Sequence, residues 1–415
     1  MNEIRETANY CLNCKLKPCS IKGCPMRAQI PEFIGEIKNE DYKKAYDILI
    51  QNNIFSHICS IICPQEEQCE GSCVRGIKAK PTQIGKLEKF VNKWAEENSY
   101  EPKFEKKEKN GKKVAIVGAG PAGLECAFEL LKNGFSVDIY EKYTVPGGVL
   151  IYGIPDFRLS REIIDKLIKR IKKMGANIKT NVNFGTDITI ENLKKEYDAI
   201  FLAIGATKSL IYSLSEEKLD MVFESDSFLK AYNENKFIKN LGTVVVIGGG
   251  NVAMDSARAA IRMGANKVKI LYRRDRAHMP AREIELDDAI KDGVQFKELT
   301  RVISANSKNG KIESLNCIRT EIIDEKAVDV KNEEFLEEAN TVVFAIGLKP
   351  EKDIIENQSI KLNEWGYIEI DGNGQTNIKN VFAGGDCIGE KATVCSALAS
   401  GKRAAEGIIK SLMEI

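Results

Sequence analysis

Residues 113–141 read KVAIVGAGPAGLECAFELLKNGFSVDIYE, and the fold follows from this stretch. Val114–Val117 is an apolar run of strand length that stops at Gly118. A helical pattern continues to about Asn133, and Ser136–Tyr140 is a second strand. Strand, turn, helix and strand make a βαβ unit. Its turn is Gly118-Ala-Gly120-Pro121-Ala122-Gly123. Gly118 permits the tight turn, Gly120 lets a pyrophosphate approach the backbone, and Gly123 lets the helix pack on the strand. The helix N-terminus then faces the phosphates. Glu141 closes the second strand, where a carboxylate binds ribose hydroxyls.

The pattern recurs downstream. Thr243–Ile247, a helical run over Val252–Met263 and Lys267–Tyr272 repeat it around Gly248-Gly-Gly250-Asn251-Val252-Ala253. Alanine at the third glycine position is an accepted variant of the loop. Tyr272 occupies the place of Glu141, and Arg273 and Arg274 follow. No carboxylate is there for a 2′-hydroxyl, whereas two guanidiniums suit a 2′-phosphate, so this site is read as binding NADP. A solvated basic turn is the alternative. One dinucleotide site for FAD and one for the nicotinamide donor make a flavoprotein. The fold class expected is therefore α/β, with two Rossmann-like domains.

Composition narrows the function. The chain has 415 residues, with 61 Lys+Arg against 60 Asp+Glu. That balance gives no basic footprint for nucleic acid or an anionic membrane. No apolar run reaches the roughly 18 residues of a membrane span. The opening MNEIRETANY has no signal-peptide core, so a cytoplasmic location is expected. His57 and His278 are the only histidines, and His57 reads as structural or exposed.

Cysteine is the informative residue. Eight of the 12 lie in the first 73 positions, as Cys11-x2-Cys14-x4-Cys19-x4-Cys24-Pro25 and Cys59-x3-Cys63-Pro64-x4-Cys69-x3-Cys73. In a reducing compartment such a group holds metal or does redox work. Two four-cysteine zinc sites and two iron–sulfur clusters both fit the count. Cys126, Cys317, Cys387 and Cys395 are isolated, so the flavin domain carries no exit dithiol. A cysteine-rich segment ahead of such a domain favours iron–sulfur clusters as its electron exit. Helical patterns at Asp41–Asn52 and Ile84–Asn98 flank the cysteines, Pro31 can open a further helix, and the lysine-rich stretch 99–111 reads as a linker.

Several motifs together carry a family resemblance. Val381-Phe-Ala-Gly-Gly385-Asp386, followed by a helix from about Thr393 to Leu412, resembles the glutathione-reductase-like flavoproteins. CLNCKLKPCSIKGCP at 11–25, CPQEEQCEGSCVRGI at 63–77 and IGKLEKF at 84–90 are similar to the N-terminal domain of glutamate synthase small subunits. Dihydropyrimidine dehydrogenase, its bacterial flavin subunit and the large subunit of NADH-dependent ferredoxin:NADP oxidoreductase carry similar segments. The likeness extends through PGGVLIYGIPDFRL at 146–159, GGGNVAMD at 248–255 and YRRDRAHMPA at 272–281.

The resemblance implies a split FAD domain, 112–208 plus 343–415, with the NADP domain 209–342 inserted and a helical cluster domain over 1–98. It places Gly148, Gly385, Asp386 and Thr393 at FAD, with Asp386 on the ribityl chain. It implies that Cys11, Cys14, Cys19 and Cys73 hold one 4Fe–4S cluster. Cys24, Cys63, Cys69 and Glu88 would hold the second, leaving Cys59 spare. Simple counting would use all eight cysteines instead. The family usually has three residues where four separate Cys19 from Cys24. The expected activity is electron transfer from NADPH through FAD and both clusters to an electron-accepting subunit or ferredoxin, in a hetero-oligomer. A free-standing or bifurcating NAD(P)H:ferredoxin oxidoreductase is the rival reading, and a non-catalytic assembly scaffold is the rival from another class.

Overall fold

The structure is a computed structural model describing residues 2–413, so Met1, Glu414 and Ile415 of the regions assigned above lie outside the described residues. The chain divides into two compact units. One comprises Met1–Ile151, Phe157–Ala206 and Pro350–Ile415, and the other Tyr152–Asp156 and Thr207–Lys349.

The first unit begins with five helices: α1 (Asn2–Asn9), α2 (Ile30–Lys38), α3 (Tyr42–Asn52), α4 (Ser56–Ile62) and α5 (Ile84–Glu97). Pro31 sits in the first turn of α2, where its missing N–H breaks no helical bond. Asp41 caps α3 by accepting the Lys44 amide at 2.9 Å. Helix α3 buries Ala45, Tyr46, Leu49 and Ile50, and α5 buries Ile84, Leu87, Val91 and Ala95. Both sets follow helical spacing, so the apolar stripes meet in one core.

A parallel sheet follows, built from β1 (Lys113–Val117), α6 (Pro121–Lys132), β2 (Ser136–Glu141), α7 (Arg161–Lys173), β3 (Asn177–Thr180) and β4 (Ala199–Leu202). Its fifth strand comes from the far end of the unit, so the spatial order is Val381–Ala383, β4, β1, β2, β3. Val114, Ala115 and Ile116 are fully buried, as expected of a strand covered on both faces. Residues 99–111 form no helix or strand, yet they are not a free tether. The Phe104 ring meets Phe128 edge-on at 5.2 Å, and the Lys107 amide donates to the Lys132 carbonyl at 2.8 Å. One aromatic and a few backbone bonds anchor this strap, and apolar periodicity cannot register them.

The second unit repeats the plan with β5 (Val222–Glu224), α8 (Ser225–Asn233), β6 (Thr243–Ile247), α9 (Asn251–Arg262), β7 (Lys267–Leu271) and β8 (Gln295–Lys297). An antiparallel meander is added by β9 (Thr300–Lys308), β10 (Lys311–Ile323) and β11 (Lys326–Glu338). Strand β12 (Thr341–Phe344) then returns to the sheet, whose order is β5-β12-β6-β7-β8, all parallel. In the first unit, β13 (Val381–Ala383) ends at Gly384, and α10 (Val394–Met413) runs back along α6.

Candidate functional site

The first glycine loop has the geometry its sequence demands. Gly118 has φ +104°, and a Cβ there would lie 2.3 Å from the Ala203 carbonyl oxygen. A Cβ on Gly123 would lie 2.0 Å from the Gly118 oxygen, so helix and strand touch backbone to backbone. Gly120 faces open space, bordered only by Gly148. That gap above the N-terminus of α6 is the cradle a pyrophosphate would fill. Glu141 is buried and pins the loop, accepting the amides of Ala119 at 2.8 Å and Tyr143 at 2.9 Å. Burial pushes its carboxyl above the ordinary value, and those two amides oppose the rise. Asp386 follows β13, and its carboxylate finds no partner among the described residues. Thr393 caps α10, its hydroxyl accepting the Ser396 amide at 3.2 Å. These features fit FAD.

The second loop is built alike. A Cβ on Gly248 would lie 2.2 Å from the Ala345 oxygen, while Gly250 faces open space. Asn251 accepts the Arg282 amide through Oδ1 at 2.9 Å, and Val252 stands partly exposed in the first turn of α9. Tyr272 does not reach for a ligand. Its ring is buried against Gly249, and its hydroxyl donates to the His278 carbonyl at 2.7 Å. The three nearby arginines differ in their commitments. Arg276 pairs with Glu283 and Asp287. Arg273 and Arg274 pair with no carboxylate among the described residues, and Arg274 Nε is buried without a partner. An orphaned guanidinium donor in this place suits an anion.

The N-terminal cysteines surround two small chambers of about 20 and 30 Å³. Cys11, Cys14, Cys19 and Cys73 line the smaller. Cys24, Cys59, Cys63, Cys69, Glu88 and Cys395 line the larger. Cys73 thus stands with the first cysteine group and Cys24 with the second. Ile30 and Ile84 line both chambers, so two apolar side chains stand between them. Among the described residues, only Cys59, Cys63 and Cys395 bring three metal-binding atoms within 4.8 Å of one another. A single zinc ion would draw four sulfurs to within about 4 Å of each other. The other cysteines stand farther apart around their chambers, as ligands of a multi-iron cluster do.

Local structure explains this convergence. The extra residue between Cys19 and Cys24 is taken up by a π-helical turn over Cys19–Gly23. A Cβ on Gly23 would lie 2.5 Å from the Gln68 oxygen and 2.8 Å from Cys69 Cα, so the two cysteine segments meet at a glycine. Burial pushes the Cys19 thiol up to about 11, with Cys11 and Cys73 adding to the shift. Burial likewise carries the Glu88 carboxyl well above its ordinary range, and the neighbouring Cys24 and Cys395 reinforce it. His57 keeps to Glu96 at 3.5 Å and lines neither chamber. Cys395 was not singled out from the sequence as a site residue. It sits on α10, far along the chain from the other cysteines, where no local spacing can reveal it.

Residues 112–402 match the family described as pyridine nucleotide-disulphide oxidoreductase, and residues 1–100 match dihydropyrimidine dehydrogenase domain II, 4Fe-4S cluster. The chain belongs to this oxidoreductase family. It is a member with an N-terminal 4Fe–4S domain, and the resemblance read from its motifs holds. The small chain of glutamate synthase [NADPH] from Escherichia coli is 33% identical over 99% of this chain and 92% of that protein. The beta subunit of the NADP(+)-dependent formate dehydrogenase of Moorella thermoacetica is also 33% identical, over 96% of this chain but only 60% of that protein. Among solved structures, FprA from Mycobacterium tuberculosis in complex with NADPH superposes with a TM-score of 0.63, covering 73% of this chain and 85% of that one at 21% identity. That likeness supports the fold. No described helix of this oxidoreductase is long and apolar enough to cross a membrane.

Proposed function

We propose that this chain is the electron-input subunit of a larger oxidoreductase, drawing electrons from NADPH and delivering them one at a time to a partner protein. The carrying observation is that two separated cysteine chambers lie in the same compact unit as the Gly118–Gly123 loop. Relatives named as small or beta chains of larger enzymes support the hetero-oligomer.

In this reading, residues 1–98 are the cluster domain, 112–208 with 343–415 the FAD domain, and 209–342 the NADP domain. Cys11, Cys14, Cys19 and Cys73 hold one 4Fe–4S cluster, and Cys24, Cys63, Cys69 and Glu88 the other. FAD, when bound, takes two electrons as a hydride and releases them singly, which is what joins nicotinamide to iron–sulfur chemistry. The chain's own residues bind and orient. Gly118, Gly120, Pro121, Ala122 and Gly123 shape the pyrophosphate cradle beside Gly148. Glu141 and Asp386 bind the sugar hydroxyls, and Gly385 and Thr393 border the flavin. Gly248, Gly250, Asn251 and Val252 seat the nicotinamide dinucleotide, and Arg273 and Arg274 take its 2′-phosphate. Ile30 and Ile84 keep water from the path between the chambers.

Purification without oxygen should give about eight irons, a matching amount of acid-labile sulfide and one FAD per chain. NADPH should then bleach the flavin. Two zinc ions without sulfide would sink this reading.

A further inference from the structure

Cys395 is the one thiol of the larger chamber that comes from the FAD-binding end of the chain. It is the second residue of α10, is 3% exposed, and lies with Cys59 and Cys63 in the tight sulfur trio. Its sulfur neighbours those of Cys24, Cys59 and Cys63. Four outward ligands of a four-iron cube diverge from its corners, so three sulfurs this close cannot each hold a separate iron. Cys63 has the ligand's place in the reading above. Cys59, one turn back on α4, already accepts a hydrogen bond from Asn53 Nδ2 at 3.4 Å. Cys395 faces Cys59 as well as Cys24 and Cys63.

We propose that Cys395 is a positioning residue that donates its S–H to the ligand sulfurs Cys24 and Cys63 and so raises the reduction potential of the cluster they hold. The inference rests on the ligand set proposed above. Thiolate ligands carry negative charge that grows when their cluster gains an electron, so a donor aimed at them stabilises the reduced state more than the oxidised one. Burial strengthens the effect, because Cys395 itself is almost wholly shielded from water. The donor is also rigidly tied to the flavin site. On α10, Gly401 lies so close to α6 that a Cβ would be 2.3 Å from the Ala122 carbonyl. Cys395 precedes it by six residues, about 9 Å along the helix axis. One helix therefore touches the loop that cradles FAD and the ligands of one cluster. The residue makes that cluster the favoured acceptor for electrons leaving the flavin.

The test is a redox titration of the full chain, purified without oxygen and followed by electron paramagnetic resonance. Cys395→Val removes the donor but fills its volume, and Cys395→Ser keeps a donor. With Cys395→Val, iron and sulfide should match the wild type, one cluster signal should titrate at a lower potential, and the other should stay in place. Cys395→Ser should recover part of the shift. Cys63→Ala should lose about half the iron, which checks the ligand set separately. If Cys63→Ala loses iron while Cys395→Val leaves both potentials unmoved, this inference is overturned and the ligand set stands. Loss of a cluster in both Cys395 variants would overturn it too, by making Cys395 a ligand. Full iron retention in Cys63→Ala would remove the ligand set and the inference together.

Discussion

At the scale of single residues, Arg273 and Arg274 are the pair proposed to set the nucleotide preference. A 2′-phosphate beside them gains one or two charge-assisted hydrogen bonds, while NADH meets no repelling carboxylate. We expect kcat/KM to favour NADPH by at least about tenfold, which corresponds to about 1.4 kcal/mol. Replacing both arginines by Ala should abolish the preference mainly through KM, because the phosphate is remote from the transferred hydride. A wild-type preference for NADH would leave them a solvated turn. Glu125 poses a different question. It is fully buried in α6, and neither carboxylate oxygen has a partner among the described residues. Burial lifts its carboxyl from 4.5 to about 8, and Glu129 nearby adds to the rise. Between those two pH values the native chain holds a proton that the unfolded chain has released, so stability falls as pH rises. Glu125→Gln should therefore gain stability over the wild type at pH 8 relative to pH 5. Each kcal/mol recovered is worth roughly 2–4 °C for a domain of about 200 residues. Parallel thermal unfolding curves at the two pH values would refute this.

At the scale of elements, legibility followed the range of the interaction. The β1–α6–β2 unit was readable because a strand, three glycines and an apolar helix are contiguous, and its observed bounds differ from the expected ones by a residue or so. Helix α3 was readable because its apolar face and its Asp41 cap are local. The β9–β11 meander was not. Strand β11 is mostly exposed and charged, so no alternation marks it, and its partners rather than its residues make it a strand. In the sequence Tyr272 marks a missing carboxylate, whereas in the structure it is a wall that packs on Gly249. The π-helical turn at Cys19–Gly23 gives a physical role to the extra residue, which the spacing alone left unexplained. Its close approach to Gln68 and Cys69 depends on Gly23 having no side chain. Gly23→Ala should force the two cysteine segments apart and lower the iron content toward half, with FAD retained. Iron analysis and the flavin spectrum on one sample would check this, and full iron would contradict it.

At the scale of the molecule, the proposed role is to pass electrons on rather than to reduce an organic substrate. Acting alone, the chain should pass electrons from NADPH to artificial dyes, yet reduce neither 2-oxoglutarate with glutamine nor uracil. Rapid turnover of either by the lone chain would refute the role of input subunit. The division into two units also bears on how such proteins can be recombined. The N-terminal helices and the first parallel sheet share one compact unit, a strap with backbone bonds to α6, and a chamber completed by Cys395 from the last helix. Cut at residue 98, the cluster segment would lose a wall. The second unit, proposed above to seat the nicotinamide dinucleotide, instead enters and leaves at Ala206/Thr207 and Lys349/Pro350, with Tyr152–Asp156 drawn from elsewhere. A chimera that exchanges 207–349 for another nicotinamide cassette should fold and keep its iron, whereas a graft of residues 1–98 onto a foreign flavoprotein would have to bring the C-terminal helix with it.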